Sequence, residues 1–232
     1  MGVTSPVVVP EEPTRRRAAF FDLEKTLSRV AVEQEAAIAF YRQGELGLMD
    51  LARVAWSYLR YNLGLIGDFE EMKGFGARVF TGRSPEHDAQ AYRRYFDQTL
   101  VHTISEQTHA LLDAFRAADV DLYIVSSTYA FMVRPFAEHI GARGFYGASL
   151  EVADGLCTGR LTPPLYHQHT KAEVVRGLAE AHGYDLDKCW AFGDSVNDLQ
   201  MLEAVGRPYV VGPSRELRRL ADAKGWPVLD PD

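Results

Sequence analysis

No stretch of the 232 residues comes near the roughly 18 consecutive apolar positions of a membrane span, and the early run Val7 to Val9 is closed by Pro10. Cysteine is almost missing: Cys157 and Cys189 stand alone and far apart, outside any metal-knuckle or redox spacing. A disulfide scaffold is thereby excluded, and a soluble protein of a reducing, cytoplasmic compartment is expected. Positive charge is also short, with 25 Lys and Arg against 32 Asp and Glu for a net charge of -7, which argues against a nucleic-acid partner. No Gly-x-Gly-x-x-Gly follows a strand pattern and no Gly-x-x-x-x-Gly-Lys-Ser/Thr occurs, so dinucleotide and P-loop nucleotide chemistry are disfavoured. What remains is an ordinary globular composition, 47% hydrophobic and 25% charged, able to bury a sizeable core.

Residues 1 to 14, with three prolines, read as a flexible leader. Ala18 to Phe21 is a continuous apolar run suited to a parallel strand buried on both faces, and similar runs recur at Asp121–Val125, Cys189–Phe192 and Pro208–Val211. Helical patterns lie between them at Ser105–Ala118, Tyr129–Ile140, Lys171–His182, Val196–Val205 and Ser214–Lys224. That alternation predicts an α/β fold with a doubly wound parallel sheet. Residues 28 to 103 break it, holding helical stretches Val32–Arg42, Met49–Leu63 and Glu86–Leu100 and no strand pattern. They form an expected helical insert whose many aromatics, Trp56, Tyr58, Phe80 and Tyr92 among them, fill a small core or line a pocket. A hairpin is expected over Phe145–Leu161, turning at Asp154-Gly155.

The first strand runs into Asp22-Leu23-Glu24-Lys25-Thr26, which sets two carboxylates and a hydroxyl at the carboxyl end of a sheet strand, where open α/β proteins build their sites. Gly193-Asp194-Ser195-Val196-Asn197-Asp198 repeats that placement after the Cys189–Phe192 strand, and is a far more specific string. Helix capping accounts for Asp194 or Ser195 but not for the whole set. Two groups of hard oxygen ligands suggest a small divalent cation with phosphate beside it. Ser126, closing the strand from Asp121, adds a hydroxyl, and Lys171 adds a lone ammonium at a helix start. Phosphoryl transfer needs this inventory.

In this order, Asp22 to Thr26, Ser126, Lys171 and Asp194 to Asp198, the chain resembles the haloacid dehalogenase superfamily, in its phosphoserine-phosphatase-like branch. The resemblance implies a Rossmann-like core at residues 15–27 and 104–232 and a helical cap at 28–103. It also implies hydrolysis of a small-molecule phosphomonoester through an aspartyl-phosphate. By motif position it makes Asp22 the nucleophile, Glu24 the acid and base, and Ser126 with Ser127 and Lys171 the groups that hold the phosphoryl. Mg²⁺ would sit on Asp22, Asp194 and the backbone carbonyl of Glu24, with Asp198 orienting the set, and Thr26 would tie down the loop.

Two motifs depart from the family pattern. Glu24 stands where Asp is usual, and Ser127-Thr128 replace a pair of glycines, which reshapes the pocket. The acid that would receive a substrate amine has no clear counterpart, since Ala31 falls at the offset and Glu33 only near it. The aromatic, largely uncharged cap hints at a less polar leaving group. A phosphotransferase using the same intermediate and an inactive phosphometabolite-binding module are the alternatives. His167 and His169 read as a polar loop at the site entrance rather than as zinc ligands.

Overall fold

A computed structural model describes residues 16–63, 65 and 69–229; the expected leader lies outside the described residues. Seven strands make one sheet: β1 (Arg17–Phe21), β2 (Val120–Tyr129), β3 (Gly144–Ala153), β4 (Leu156–Thr162), β5 (Trp190–Gly193), β6 (Arg207–Val211) and β7 (Val228–Leu229). Their spatial order is β4-β3-β2-β1-β5-β6-β7, parallel throughout except for the β3–β4 hairpin. β1 is buried at every position, as a central strand must be. The chain winds outward from β1 in one direction through β2 and β3 and in the other through β5 and β6. The carboxyl end of β1 is therefore the topological switch point.

Strand alternation divides the core into two layers. Ala19, Phe21, Leu122, Ile124 and Phe192 face α5 (Glu106–Ala117) and α6 (Ala130–His139), where Phe115 and Phe136 join them. Phe20, Tyr123, Val125, Ala191 and Val210 face α7 (His169–His182), α8 (Leu199–Glu203) and α9 (Arg215–Lys224). Phe21 stacks on Phe192 with ring centroids 4.5 Å apart, locking β1 against β5. Each such ring removed from water contributes about 1.5–3 kcal/mol.

Between β1 and α5 the chain forms α1 (Val32–Arg42), α2 (Leu48–Asn62), α3 (Phe69–Ala77) and α4 (Pro85–Gln98), with no named strand among the described residues. Ser84 caps α4 by accepting from the His87 amide at 3.3 Å, with Pro85 preset at the first helical position. Phe40, Tyr92 and Phe96 of this insert are continuous with the α5–α6 core layer, so those aromatics are core, whereas Trp56 is 55% exposed. No helix among the described residues is long and apolar enough to cross a membrane.

Three elements differ from the expectation. β2 runs on through Ser126, Ser127 and Thr128 to Tyr129, because pairing with β3 stops at Val125, skips those polar residues as an irregularity and resumes between Tyr129 and Ala148. The helix expected from Val196 begins as one tight 3₁₀ turn, Val196–Asp198, closed by a reciprocal Ser195–Asp198 capping box, and continues as α8. α3 is an added helix, unheralded because Gly74 and Gly76 lower its local propensity. The hairpin turns at Asp154 and Gly155, both at positive φ (52° and 78°), as a two-residue turn of this hand requires.

Candidate active site

Asp22 is carried one residue past β1 and anchored when its amide donates to the Phe192 carbonyl at 2.9 Å. The following turn places Lys25 at φ 56° and closes through Leu27 and Ser28 amides donating to the Leu23 carbonyl. Thr26 does not tie this loop: it is buried with its hydroxyl unpartnered, and the backbone makes the closure instead.

From α7, Lys171 extends into the same point and is 2% exposed. Its Nζ donates to Asp22 Oδ1 at 2.6 Å and to Asp198 Oδ1 at 2.5 Å. The start of α7 is fastened to the β5–α8 loop by the Gln168 amide, which donates to the Asn197 carbonyl at 2.9 Å. Asp198 is held from its other oxygen, where Oδ2 accepts from the Asp194 and Ser195 amides at 3.2 and 3.1 Å and from the Ser195 hydroxyl at 3.1 Å. Gly193 is demanded here, since a Cβ would stand 2.4 Å from that of Asp198.

One oxygen each of Asp22, Asp194 and Asp198 lie within 4.8 Å of one another, the one cluster of three or more metal-capable groups among the described residues. Three carboxylates against a single ammonium leave the point short of positive charge. Burial pushes the Asp22 carboxyl up to about 6 in spite of Lys171, and burial with repulsion from Asp22 and Asp198 pushes Asp194 up to about 8. For Lys171, burial works against the charge, and Asp198 and Asp22 outweigh it and raise its pKa. An all-oxygen donor set with uncompensated charge fits a small hard cation. Both oxygens of Asp198 are already engaged, by Lys171 and by the Asp194 and Ser195 amides, and the Glu24 carboxylate lies outside the trio.

Glu24 turns instead to the helical insert, where its Oε1 accepts from the Glu33 amide at 2.8 Å. Burial and the Glu33 charge push its carboxyl up to about 7, against Lys73. Glu33 is itself buried, with Oε1 paired to Lys73 of α3 and Oε2 accepting from Tyr58 of α2 at 2.5 Å. This cluster borders a cavity walled by Phe40, Met72, Tyr129 and Met132. The insert is thus not uncharged where it faces the site: it buries one carboxylate and one ammonium. Lys73 was invisible from sequence, since it lies on the unexpected α3 and 40 residues from its partner.

Ser126 is fully buried on β2, and its Oγ accepts from the Thr128 amide at 3.2 Å. Register pairs Phe21 with Ile124 as the last β1–β2 pair, so Ser126 and Ser127 stand just beyond it, beside the Asp22 loop. His167 lies in the loop ahead of α7 with its side chain 12% exposed, its ring 5.0 Å from that of Phe69 and its Nε2 3.5 Å from Glu70 Oε1.

The family model for haloacid dehalogenase-like hydrolases matches residues 19–203. The inhibition of morphological differentiation protein of Streptomyces azureus is 34% identical over 218 residues, 93% of this chain and 78% of its own length. The histidinol-phosphatase of Neisseria meningitidis is 29% identical over 93% of this chain and 99% of its own. A substrate-bound phosphoserine phosphatase superimposes with a TM-score of 0.72 over 94% of both chains, at 19% identity, which is a likeness of fold.

Proposed function

The chain belongs to the haloacid dehalogenase-like hydrolase family, and from that premise we propose that it is a Mg²⁺-dependent phosphatase hydrolysing a small-molecule phosphomonoester through an aspartyl-phosphate on Asp22. The observation that carries this reading is the buried Lys171 bridge between Asp22 and Asp198, with Asp194 alongside. Lys171 occupies one oxygen of Asp22 and thereby aims the other, which attacks phosphorus. The alcohol departs with a proton from Glu24. Glu24, now a carboxylate, takes a proton from water, which attacks the same phosphorus and releases phosphate and free Asp22. Ser126 and Ser127 donate to the phosphoryl oxygens. Mg²⁺ on Asp22, Asp194 and the Glu24 backbone carbonyl would supply charge screening for the phosphoryl group.

Glu in place of Asp at position 24 suits this role. The longer side chain reaches the Glu33 amide, and a carboxyl near 7 can both give and take a proton at neutral pH. This favours an active enzyme over a binding module. We expect Glu24→Gln to lower turnover about 10²- to 10⁴-fold, with steady-state release and single-turnover assays as the measurement; unchanged turnover would remove Glu24 from the chemistry.

We take residues 28–103 as a cap that closes over the bound ester and excludes water until the alcohol has left. Glu33 has both oxygens engaged by Lys73 and Tyr58, so it is poorly disposed to receive a substrate ammonium. With the apolar cavity walls, this points to a leaving group of mainly apolar body rather than to phosphoserine. The direct test is phosphate release from a panel of small phosphomonoesters, phosphoserine and histidinol phosphate included, with Mg²⁺ or with chelator. Release only with Mg²⁺, ranked toward the less polar alcohols, is expected; a metal-independent rate would contradict the reading.

A further inference from the structure

α2 is apolar on two opposite faces, and among the described residues only one of them is covered. Val54, Ser57 and Tyr58 turn inward to the cavity beside Glu33. Leu48, Trp56, Leu59 and Leu63 fall on the other side at helical spacing and are 66%, 55%, 46% and 62% exposed. Met49 at the start of α2 and Tyr41 on α1 are also exposed. A lone exposed leucine needs no explanation, whereas a continuous stripe four turns long does.

We propose that this outer face of α2, with the adjoining end of α1, is an isologous interface between two copies of the chain. Size is the first argument. At on the order of 100 Å² apiece, the six side chains expose roughly 600 Å² on one chain, at the top of what the surface of a monomer carries. Two copies face to face bury about 1,200 Å² from these residues alone, which reaches the range of stable protein interfaces.

Charge is the second argument. A stripe without ionised side chains meets its own copy without like-charge repulsion, the condition that a two-fold contact imposes. The cations of α2 are already engaged: Arg53 pairs with Asp50 at 2.8 Å, and the Arg60 guanidinium lies 6.0 Å from the Phe75 ring centre. A lipid surface wants a basic rim around such a stripe, and a chain of net charge -7 offers little attraction to anionic headgroups. The contact has a consequence for the cap as well, because the same helix holds Tyr58 against Glu33 on its inner side. Pairing would fix α2 from outside without touching the reacting groups, so the inference stands or falls apart from the phosphatase reading.

The experiment is sedimentation velocity of the full chain across micromolar concentrations, on wild type, on Trp56→Arg with Leu59→Arg, and on Val152→Arg as a control at an exposed residue of the β3–β4 hairpin. The expected result is a wild-type dimer that persists in the control. The α2 pair should weaken dimerisation at least about 100-fold while keeping the wild-type circular dichroism and melting temperature. A wild type that stays monomeric throughout overturns the proposal, as does a dimer that the α2 pair leaves intact. Co-sedimentation of monomeric wild type with phosphatidylcholine–phosphatidylglycerol vesicles would assign the stripe to lipid and overturn it equally.

Discussion

Asp22→Asn lowers phosphate release by at least about 10⁴-fold, the scale on which covalent catalysis collapses when its nucleophile is removed. The side chain is nearly isosteric, so Lys171 still has an oxygen to donate to and the core around Phe21 and Phe192 stays packed. What disappears is the anionic oxygen that attacks phosphorus. Because one buried acidic charge is also removed from a point crowded with carboxylates, the variant should fold at least as stably as the wild type. Loss of rate with an unchanged or raised melting temperature is therefore the signature, read by phosphate release and thermal unfolding on the same preparation. A variant within tenfold of wild type would place the nucleophile elsewhere.

The second large effect is structural as well as catalytic. Lys171→Met keeps most of the side-chain volume but leaves Asp22 and Asp198 buried and facing each other without their shared ammonium. Breaking a buried pair from one side costs about 3–5 kcal/mol, and for a domain of this size each kcal/mol moves the midpoint by about 2–4 °C. A drop of about 6–20 °C is expected in metal-free buffer, together with a loss of turnover of about 10²-fold or more. The physical cause can be isolated by adding Asp198→Asn. That second change removes one of the two stranded charges, so the double variant should recover part of the lost stability although it contains more substitutions. Additive losses in the double variant would show that Lys171 acts through packing and not through charge.

Much of this was legible because the chemistry sits at strand ends, and buried parallel strands announce themselves as short apolar runs. Ala18 to Phe21 and Cys189 to Phe192 are read at sight, and the acids that follow each of them fall at the switch point of the sheet. Lys171 was legible as an ammonium at a helix start, and the structure brings it within hydrogen-bond reach of Asp22 from 149 residues away. The family model and the relatives agree with the family resemblance that these motifs carry.

Where local pattern and tertiary contact part company, sequence was silent. The Ser126-Ser127-Thr128 run has the polarity of a loop, yet it stays in β2 because β3 pairs beyond the irregularity. α3 holds two glycines and gives little helical signal on its own, so Lys73 could not be set beside Glu33. Sequence places Glu33 only by its distance along the chain from Asp22. Its engagement by Lys73 and Tyr58, which decides whether it can take a substrate ammonium, exists only once three helices have packed. The exposed stripe of α2 is a similar case, since its periodicity alone reads as a core-facing helix.

The most direct test of the central claim is a covalent trap. Glu24→Gln, supplied with Mg²⁺ and an aryl phosphomonoester whose leaving group departs without a proton from Glu24, should accumulate the phosphoenzyme because the water of the second step lacks its base. Acid-quenched protein, digested at low pH and read by mass spectrometry, is predicted to carry one phosphoryl group on Asp22, removable by hydroxylamine as an acyl phosphate is. Phosphate attached to any other residue, or steady release of phosphate with no covalent species at any time, would contradict the account.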